Sequence, residues 1–160
     1  MTLNIDLTNN RALVTGVSSG IGAGIAEALA QAGSDVAGCG IESADSEGAK
    51  RFIATVESFG RRAFYQSVDL TDGVAARAFS EWAAGQLGGL DIVVSNAGRN
   101  FHIGASQLSE SDWQANIDLN LAAHWRVAQS ARSYLDKARA PVVIIMGSNH
   151  AFYTLPCKLH

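Results

Sequence analysis

Cysteine and proline are scarce in this chain of 160 residues, which has two of each. Cys39 and Cys157 are too few for the disulfide framework of a small secreted protein. No Cys-x-x-Cys and no His/Cys cluster has metal-ligand spacing, so we expect no metal site. Basic residues are also few, because 12 Lys and Arg against 15 Asp and Glu give a net charge of −3. That balance, without a basic run, argues against nucleic acid or an anionic membrane as partner.

Long apolar runs are absent as well. The longest strongly apolar run, residues 142–146, is far shorter than the roughly 20 residues that cross a bilayer. The first twenty residues lack the charged start and apolar stretch of a signal peptide. We therefore expect a cytoplasmic protein without a membrane partner.

Short apolar runs do alternate with segments of helical periodicity along the whole chain. Hydrophobic residues make up 48% and charged residues 17%, which is typical of a globular domain. The length predicts a single domain over residues 1–160. Five strands are predicted, separated by four helical segments, at residues 12–14, 36–41, 63–68, 90–94 and 141–147. This alternation predicts an α/β fold with a doubly wound parallel sheet of the Rossmann type, in strand order 3-2-1-4-5.

The strongest chemical signal is a glycine-rich turn at residues 15–22, Thr-Gly-Val-Ser-Ser-Gly-Ile-Gly. It lies between the first strand and the first helix, where such a turn binds a pyrophosphate through free N–H groups at the helix start. A P-loop is excluded because no Lys follows Gly22; an ordinary strand-to-helix turn remains the alternative. The residues predicted here to contact a dinucleotide are Gly16, Ser18, Ser19, Gly20, Ile21 and Gly22.

The spacing Thr-Gly-x-x-x-Gly-Ile-Gly resembles that of the short-chain dehydrogenase/reductase family, and further motifs follow in the family's order. Residues 95–98, Ser-Asn-Ala-Gly, resemble the family's Asn-Asn-Ala-Gly, with Ser95 in place of the first Asn. Asp69 matches the acidic residue that meets the adenine ring, Asn120 the active-site Asn, and Ser148 the catalytic Ser. The resemblance spans residues 7–156. It adds to the expected cofactor contacts Asp69, Leu70, Asn96, Ala97 and Gly98.

The resemblance implies hydride transfer between a nicotinamide cofactor and the carbon of a small-molecule alcohol or ketone. Ser148 would hold the substrate oxygen, and Asn120 would anchor a proton-relay water through its helix. NAD is favoured and NADP is not excluded, because residues 40–42, Gly-Ile-Glu, carry no basic side chain after the second strand. In the family, the long helix, here predicted over residues 110–137, builds a subunit interface. A homo-oligomeric parent protein with Trp125 in that interface is therefore expected.

One part of the family pattern is missing. The family's catalytic Tyr and Lys are four residues apart on one helix face, and no Tyr-x-x-x-Lys occurs in this chain. Tyr153 and Lys158 are five apart, a displacement of roughly 140° around a helix. We therefore expect a chain truncated at its C-terminus and catalytically incomplete. A non-catalytic nucleotide-sensing module and a purely structural α/β unit remain alternatives. The four histidines are expected to be ordinary packing or surface residues: His102, His124, His150 and His160.

Overall fold

The computed structural model describes residues 5–100 and 106–148. Strands and helices alternate through β4, and a helical region then leads to the last strand. The elements are β1 Arg11–Thr15, α1 Gly20–Gln31, β2 Asp35–Gly40, α2 Glu47–Ser58, β3 Ala63–Ser67, α3 Gly73–Leu87, β4 Ile92–Ser95, α4 Glu110–Ile117, α5 Ala123–Leu135 and β5 Val142–Ile145. A π-helical turn, Asp118–Ala122, joins α4 directly to α5.

The five strands form one parallel sheet in the order β3-β2-β1-β4-β5, which confirms the predicted fold class and strand order. In the register of the sheet, Leu13 of β1 lies between Ala37 of β2 and Val93 of β4. The chain winds outward from β1 in one direction and then returns to β4 on its other side. In such folds ligands bind at the carboxyl ends of the strands beside that reversal, here β1, β2 and β4.

The core has two layers, one on each face of the sheet. Leu13 packs with Phe79 of α3 and Val127 of α5 on one face. Val14 packs with Phe52 of α2 and other residues on the opposite face. Because successive side chains of a strand point to opposite faces, β1 contributes to both layers and is fully buried from residue 12 to residue 15.

Polar caps begin three of the helices. The Ser46 hydroxyl accepts from the N–H of Ala49 at α2, and the Asp72 carboxylate caps α3. At α4, residues 109–112, Ser-Glu-Ser-Asp, have the spacing that predicts a capping box with Asp in the acidic place. The Ser109 and Asp112 side chains form that reciprocal box. These caps set where each helix starts and so how the preceding loop leaves the sheet.

The long helix expected over residues 110–137 is present as an unbroken helical region over residues 110–135, with a π-helical turn in its middle. Helical spacing predicts one apolar side formed by Trp113, Ile117, Leu121, Trp125, Ala128 and Leu135. Of these, Trp113, Leu121 and Trp125 are exposed and Leu135 is buried, and α5 packs into the core through Ala123, His124, Val127, Ala131 and Leu135. A π-helical turn holds more residues than an α-helical one, so the positions that face the sheet shift after it.

Strand β5 forms one edge of the sheet. It pairs with β4 on one side, and its four apolar side chains are 43–54% exposed. In the described part of the chain, no helix is long and apolar enough to cross a membrane.

Candidate functional site

A cleft of about 630 Å³ lies along the carboxyl ends of the central strands. Ten of the eleven residues predicted to contact a cofactor line it: Gly16, Ser18, Ser19, Ile21, Gly22, Asp69, Leu70, Asn96, Ala97 and Gly98. Gly20 starts α1 beside the cleft without lining it. The topology therefore brings three separated sequence motifs to one concave surface.

The glycine-rich turn is shaped by backbone conformations and contacts that only glycine allows. Gly16 and Gly20 have φ of +76° and +58°, in the left-handed region. A Cβ at Gly22 would overlap the carbonyl oxygen of Gly16 and lie 2.5 Å from the Asn96 amide nitrogen. The first helix thus packs directly against the backbone of the turn and against the side-chain amide of Asn96 in the loop after β4.

The start of α1 leaves room for an anion. Ser19 is the N-cap residue, but its side chain makes no capping hydrogen bond, and no acidic residue lies in the first turn. The N–H groups of a first helical turn have no partner within the helix, and they carry the positive end of the helix dipole. This helix start has the chemistry of a phosphate site, in contrast to the capped starts of α2, α3 and α4.

Thr15, the last residue of β1, ties the turn to the loop after β4. Its hydroxyl accepts from the N–H groups of Asn96 and Ala97, both at 2.9 Å. Its carbonyl accepts from the Asn96 side chain at 3.0 Å. Thr15 is fully buried, so these three hydrogen bonds are shielded from water and fix the glycine-rich turn and the loop after β4 relative to each other.

A polar cluster of Ser18, Glu42 and Tyr65 lies at the carboxyl end of β2. Its place within a strand predicts that Tyr65 is a packing residue; it packs near Phe52 and also donates from its hydroxyl to the Glu42 carbonyl at 2.9 Å. The Ser18 hydroxyl lies 3.2 Å from the Tyr65 oxygen. A hydrogen bond from Ser18 lowers the pKa of the Glu42 carboxyl, so this group is a carboxylate at neutral pH.

The Glu42 carboxylate folds back over Gly40. A Cβ at Gly40 would overlap the Ser18 hydroxyl and would lie 2.7 Å from the Tyr65 oxygen and 2.8 Å from Glu42 Oε2. The carboxylate therefore occupies the space that a side chain at the end of β2 would fill. In the sequence, Glu42 lies two residues beyond the end of β2, so its position alone does not predict a carboxylate at that end. The glycine at position 40 is the sequence feature that leaves space for it.

Asp69 and Leu70 follow β3 at the far side of the cleft. One carboxylate oxygen of Asp69 accepts from the Thr71 N–H at 2.9 Å and from the Thr71 hydroxyl at 2.7 Å. Leu70 is buried beneath it. The turn thus holds an exposed carboxylate at the rim of the cleft.

Asn120 lies in the π-helical turn and holds the loop after β4. Its side-chain oxygen accepts from the Arg99 N–H at 3.0 Å, and its amide donates to the Arg99 carbonyl at 2.9 Å and to Asn116 at 3.0 Å. The Asn120 side chain is thus paired with protein atoms and is not simply a solvent-facing residue in the middle of a helix. The Asn120 side chain fastens this loop rather than lining the cleft.

Ser148 lies three residues beyond β5 and is exposed. Ser95 is paired with Ile145 in the parallel register, so Ser148 follows β5 at the same edge of the sheet where Asn96 follows β4. Tyr153, Cys157 and Lys158 lie outside the described residues, as do His102, His150 and His160.

His124 is neither a surface residue nor an ordinary packing residue. It lies on α5, is 8% exposed, and its Nδ1 is 2.7 Å from the hydroxyl of Ser95, which is 2% exposed. Burial lowers the pKa of the imidazole, so His124 is neutral at pH 7. The departure from Asn at position 95 was the one sequence signal for this pair.

Cys39 lies beneath the glycine-rich turn. Its carbonyl accepts from the N–H groups of Gly16 at 2.8 Å and Val17 at 3.0 Å, while burial raises the pKa of its thiol to about 12. A thiol with that pKa is not a nucleophile at neutral pH. Residues 5–100 and 106–148 contain no group of three or more His, Cys, Asp or Glu side chains arranged to hold a metal ion.

Comparison with known proteins agrees with this geometry. The family model described as short chain dehydrogenase matches residues 10–159. A 2-dehydro-3-deoxy-D-gluconate 5-dehydrogenase of Dickeya dadantii (strain 3937) is 32% identical over 154 residues, which are 95% of this chain and 59% of that protein. A short chain dehydrogenase from Burkholderia cenocepacia J2315 in complex with NADP is 36% identical with a TM-score of 0.88, over 95% of this chain and 60% of that one.

A carveol dehydrogenase from Mycobacterium avium in complex with NAD shares the fold, with a TM-score of 0.85 at 24% identity, over 94% of this chain and 58% of that one. The chain thus spans less than two thirds of the length of the relatives it matches. The family model nevertheless covers nearly the whole chain, and the solved relatives share its fold. On these grounds the chain belongs to the short-chain dehydrogenase/reductase family.

Proposed function

We propose that the chain forms the dinucleotide-binding part of an NAD(P)-dependent oxidoreductase that acts on the alcohol or carbonyl carbon of a small molecule. The observation that carries the proposal is the cleft where the glycine-rich turn, the loop after β3 and the loop after β4 converge. A bound nicotinamide would supply or accept the hydride. The residues of this chain bind, orient and shield the reacting groups.

The phosphate-side residues fit a dinucleotide. Gly16 and Gly22 let the backbone approach closely, and the uncapped start of α1 offers N–H donors to a pyrophosphate. Asp69 at the rim is assigned to the adenine, because a carboxylate can accept from an exocyclic amine. Ile21, which is 68% exposed, gives the same cleft an apolar surface for a flat ring.

The cluster of Ser18, Glu42 and Tyr65 favours NAD over NADP. A carboxylate held at the end of β2 can accept from the ribose hydroxyls and repels a 2′-phosphate. Among the described residues that line the cleft, the single cation is Arg99, which follows β4 and not β2. One solved relative is in complex with NADP and another with NAD, so the preference proposed for this chain rests on this cluster.

We expect Glu42→Gln to lower the preference for NADH over NADPH by about tenfold, because the substitution removes the charge and keeps the shape. Isothermal titration of the purified chain with each nucleotide measures the ratio of dissociation constants. Glu47→Gln is the matched control, since Glu47 has the same charge on the first turn of α2 and does not line the cleft. Tighter binding of NADPH than NADH by the unaltered chain would contradict the assignment.

The substrate end of the site is assigned to Ser148 and Asn120. In the proposed role the Ser148 hydroxyl donates to the substrate oxygen. Asn120 fastens the loop after β4, and its π-helical turn leaves a helical carbonyl free to accept from a relay water, since each i to i+5 bond skips one acceptor. The proposed substrate is a small alcohol or ketone.

We expect the 160-residue chain to bind nucleotide weakly and to show no dehydrogenase turnover. It lacks Tyr-x-x-x-Lys, and loss of a general acid–base group alone costs about 10²–10⁴-fold in rate. The test follows absorbance of the reduced nicotinamide with a panel of alcohols and sugar derivatives. Turnover that Tyr153→Phe abolishes would contradict this expectation. If a form that extends beyond residue 160 binds nucleotide but shows no turnover, the result would favour the nucleotide-sensing module. If that form binds no nucleotide, the result would favour the purely structural unit.

A homo-oligomeric parent protein also remains part of the proposal. Trp113, Leu121 and Trp125 are 47–64% exposed along α4, the π-helical turn and α5, and Arg77 lies 5.2 Å from the Trp125 ring. Large apolar side chains exposed along one helical region are typical of protein interfaces. The cytoplasmic location expected from the sequence stays a prediction.

A further inference from the structure

The buried pair of Ser95 and His124 joins the sheet to α5 at the start of the loop after β4. Strand β4 pairs with β5, and Ser148 follows β5, so this loop lies at the substrate end of the cleft, where a nicotinamide would have to meet the substrate. Ser95 is the last residue of β4, and His124 is the second residue of α5. The Ser95 carbonyl also accepts from the N–H of Met146 at 2.9 Å, so the residue is held by β5 as well. A buried hydroxyl and a buried imidazole that satisfy each other avoid the cost of unpaired polar groups.

The hydrogen bond between Ser95 and His124 is one of three sets of hydrogen bonds that hold the loop after β4. Residues 95–99 are held at their start by His124, at Asn96 and Ala97 by Thr15, and at Arg99 by Asn120. His124 bonds the start of the loop at Ser95, and Asn120 bonds its end at Arg99. The two residues are four positions apart in the same helical region, so that region holds both ends of the loop. Between these ends lie Asn96, Ala97 and Gly98, which line the cleft.

We propose that His124 is a positioning residue that acts through Ser95 to hold the loop 95–99 in the conformation that binds the nicotinamide half of the cofactor. The inference rests on the proposed function, because the loop has a ligand to position only if the cleft binds a dinucleotide. His124 itself is buried and does not line the cleft, so its effect on binding is transmitted by the loop.

The hydrogen bond needs a partner atom at the position of Nδ1. The side-chain amide of Asn reaches that position, whereas Leu fills similar volume without a polar atom. We therefore expect His124→Leu and Ser95→Ala to weaken NADH binding by about tenfold, and His124→Asn to stay within about threefold of the unaltered chain. A role in stability alone predicts no such rescue of affinity.

Ser80→Ala is the matched control. Ser80 is also fully buried, and its hydroxyl donates to the Val127 carbonyl of α5 at 3.1 Å, on the side of the helix that faces α3. It does not contact the loop 95–99, so its loss is expected to lower the free energy of unfolding and leave NADH affinity unchanged.

The experiment titrates NADH into the 160-residue chain and its variants and follows the imidazole nitrogen shifts of His124 by NMR, assigned with His124→Asn. We expect those shifts to move on NADH addition and the affinities to follow the order above. Equal weakening by His124→Leu and Ser80→Ala, or no change in the shifts when NADH binds, would overturn the role of His124 and leave the proposed function intact. No NADH binding by the unaltered chain would overturn the proposed function, and this inference with it.

Discussion

Replacing Gly22 with alanine is expected to weaken NADH binding by about 100-fold, because the added methyl group displaces the backbone of the phosphate-binding turn. A Cβ there would overlap the Gly16 carbonyl oxygen and press on the Asn96 amide. Neither group can move without changing other contacts, since Gly16 donates to the Cys39 carbonyl and Asn96 is bonded to Thr15. Calorimetric titration with NADH measures the loss.

Gly24 provides the matched control for this prediction. It lies two residues further along α1, and a Cβ there would have no neighbour within 4 Å. Gly24→Ala is expected to keep NADH affinity and to raise the free energy of unfolding by about 0.5–1 kcal/mol, because alanine favours the helix. Unchanged binding by Gly22→Ala, or an equal loss in both variants, would show that the turn tolerates displacement.

Asp91→Ala is expected to lower the free energy of unfolding by about 2–3 kcal/mol, the largest stability effect of any single charge here. The Asp91 carboxylate accepts from the backbone N–H of Arg11 at 2.9 Å, from its Nε at 2.7 Å and from its Nη2 at 3.1 Å. Arg11 also donates to the Gly88 carbonyl at 2.6 Å, so one network joins β1, β4 and the end of α3. Urea denaturation at pH 7 measures the loss.

Asp35→Ala is the matched variant, because it removes the carboxylate of a more exposed ion pair. Asp35 pairs with Arg62, whose side chain is 55% exposed, so water screens the interaction and the expected loss is only about 1 kcal/mol. A loss from Asp35→Ala as large as that from Asp91→Ala would contradict the reasoning from burial.

The pH dependence of the Asp91 contribution has a defined sign. Hydrogen bonding by Arg11 lowers the pKa of the Asp91 carboxyl below its ordinary value. The contribution is therefore full above the unfolded pKa of about 3.9 and is lost as the pH falls through the lower folded value. The difference in unfolding free energy between the unaltered chain and Asp91→Ala should shrink on titration from pH 5 toward pH 2. A difference that grows over that range would contradict the assignment.

Much of the architecture follows from patterns that the sequence displays directly. Buried strands of a parallel sheet are continuous apolar runs, and right-handed crossovers leave few possible orders, so the order β3-β2-β1-β4-β5 was predictable. The positions of Gly16 and Gly22 were equally informative, because close backbone approach excludes other residues. The observed strand ends differ from the predicted ones by one or two residues. The reason is that hydrogen bonding, and not apolar character, defines where a strand ends.

Three features of the site could not be predicted because each depends on tertiary contact. Nothing local distinguishes a π-helical turn at Asp118–Ala122 from an α-helix, and that turn decides which residues of α5 face the sheet. The return of Glu42 over Gly40 requires the Ser18 and Tyr65 hydroxyls, which come from other elements. The contact between Ser95 and His124 joins residues 29 positions apart that the fold alone brings together.

Because Cys39 is buried, the rate at which its thiol is alkylated measures how often the protein opens locally. Its sulfur is fully enclosed in β2, and its pKa of about 12 leaves almost no thiolate at pH 8. Alkylation therefore has to wait until β2 separates from its neighbours. In a Cys157→Ser background, the labelling rate relative to that of a free thiol gives the free energy of that opening. Because the Cys39 carbonyl holds the N–H groups of Gly16 and Val17, the same rate reports how firmly the phosphate-binding turn is closed.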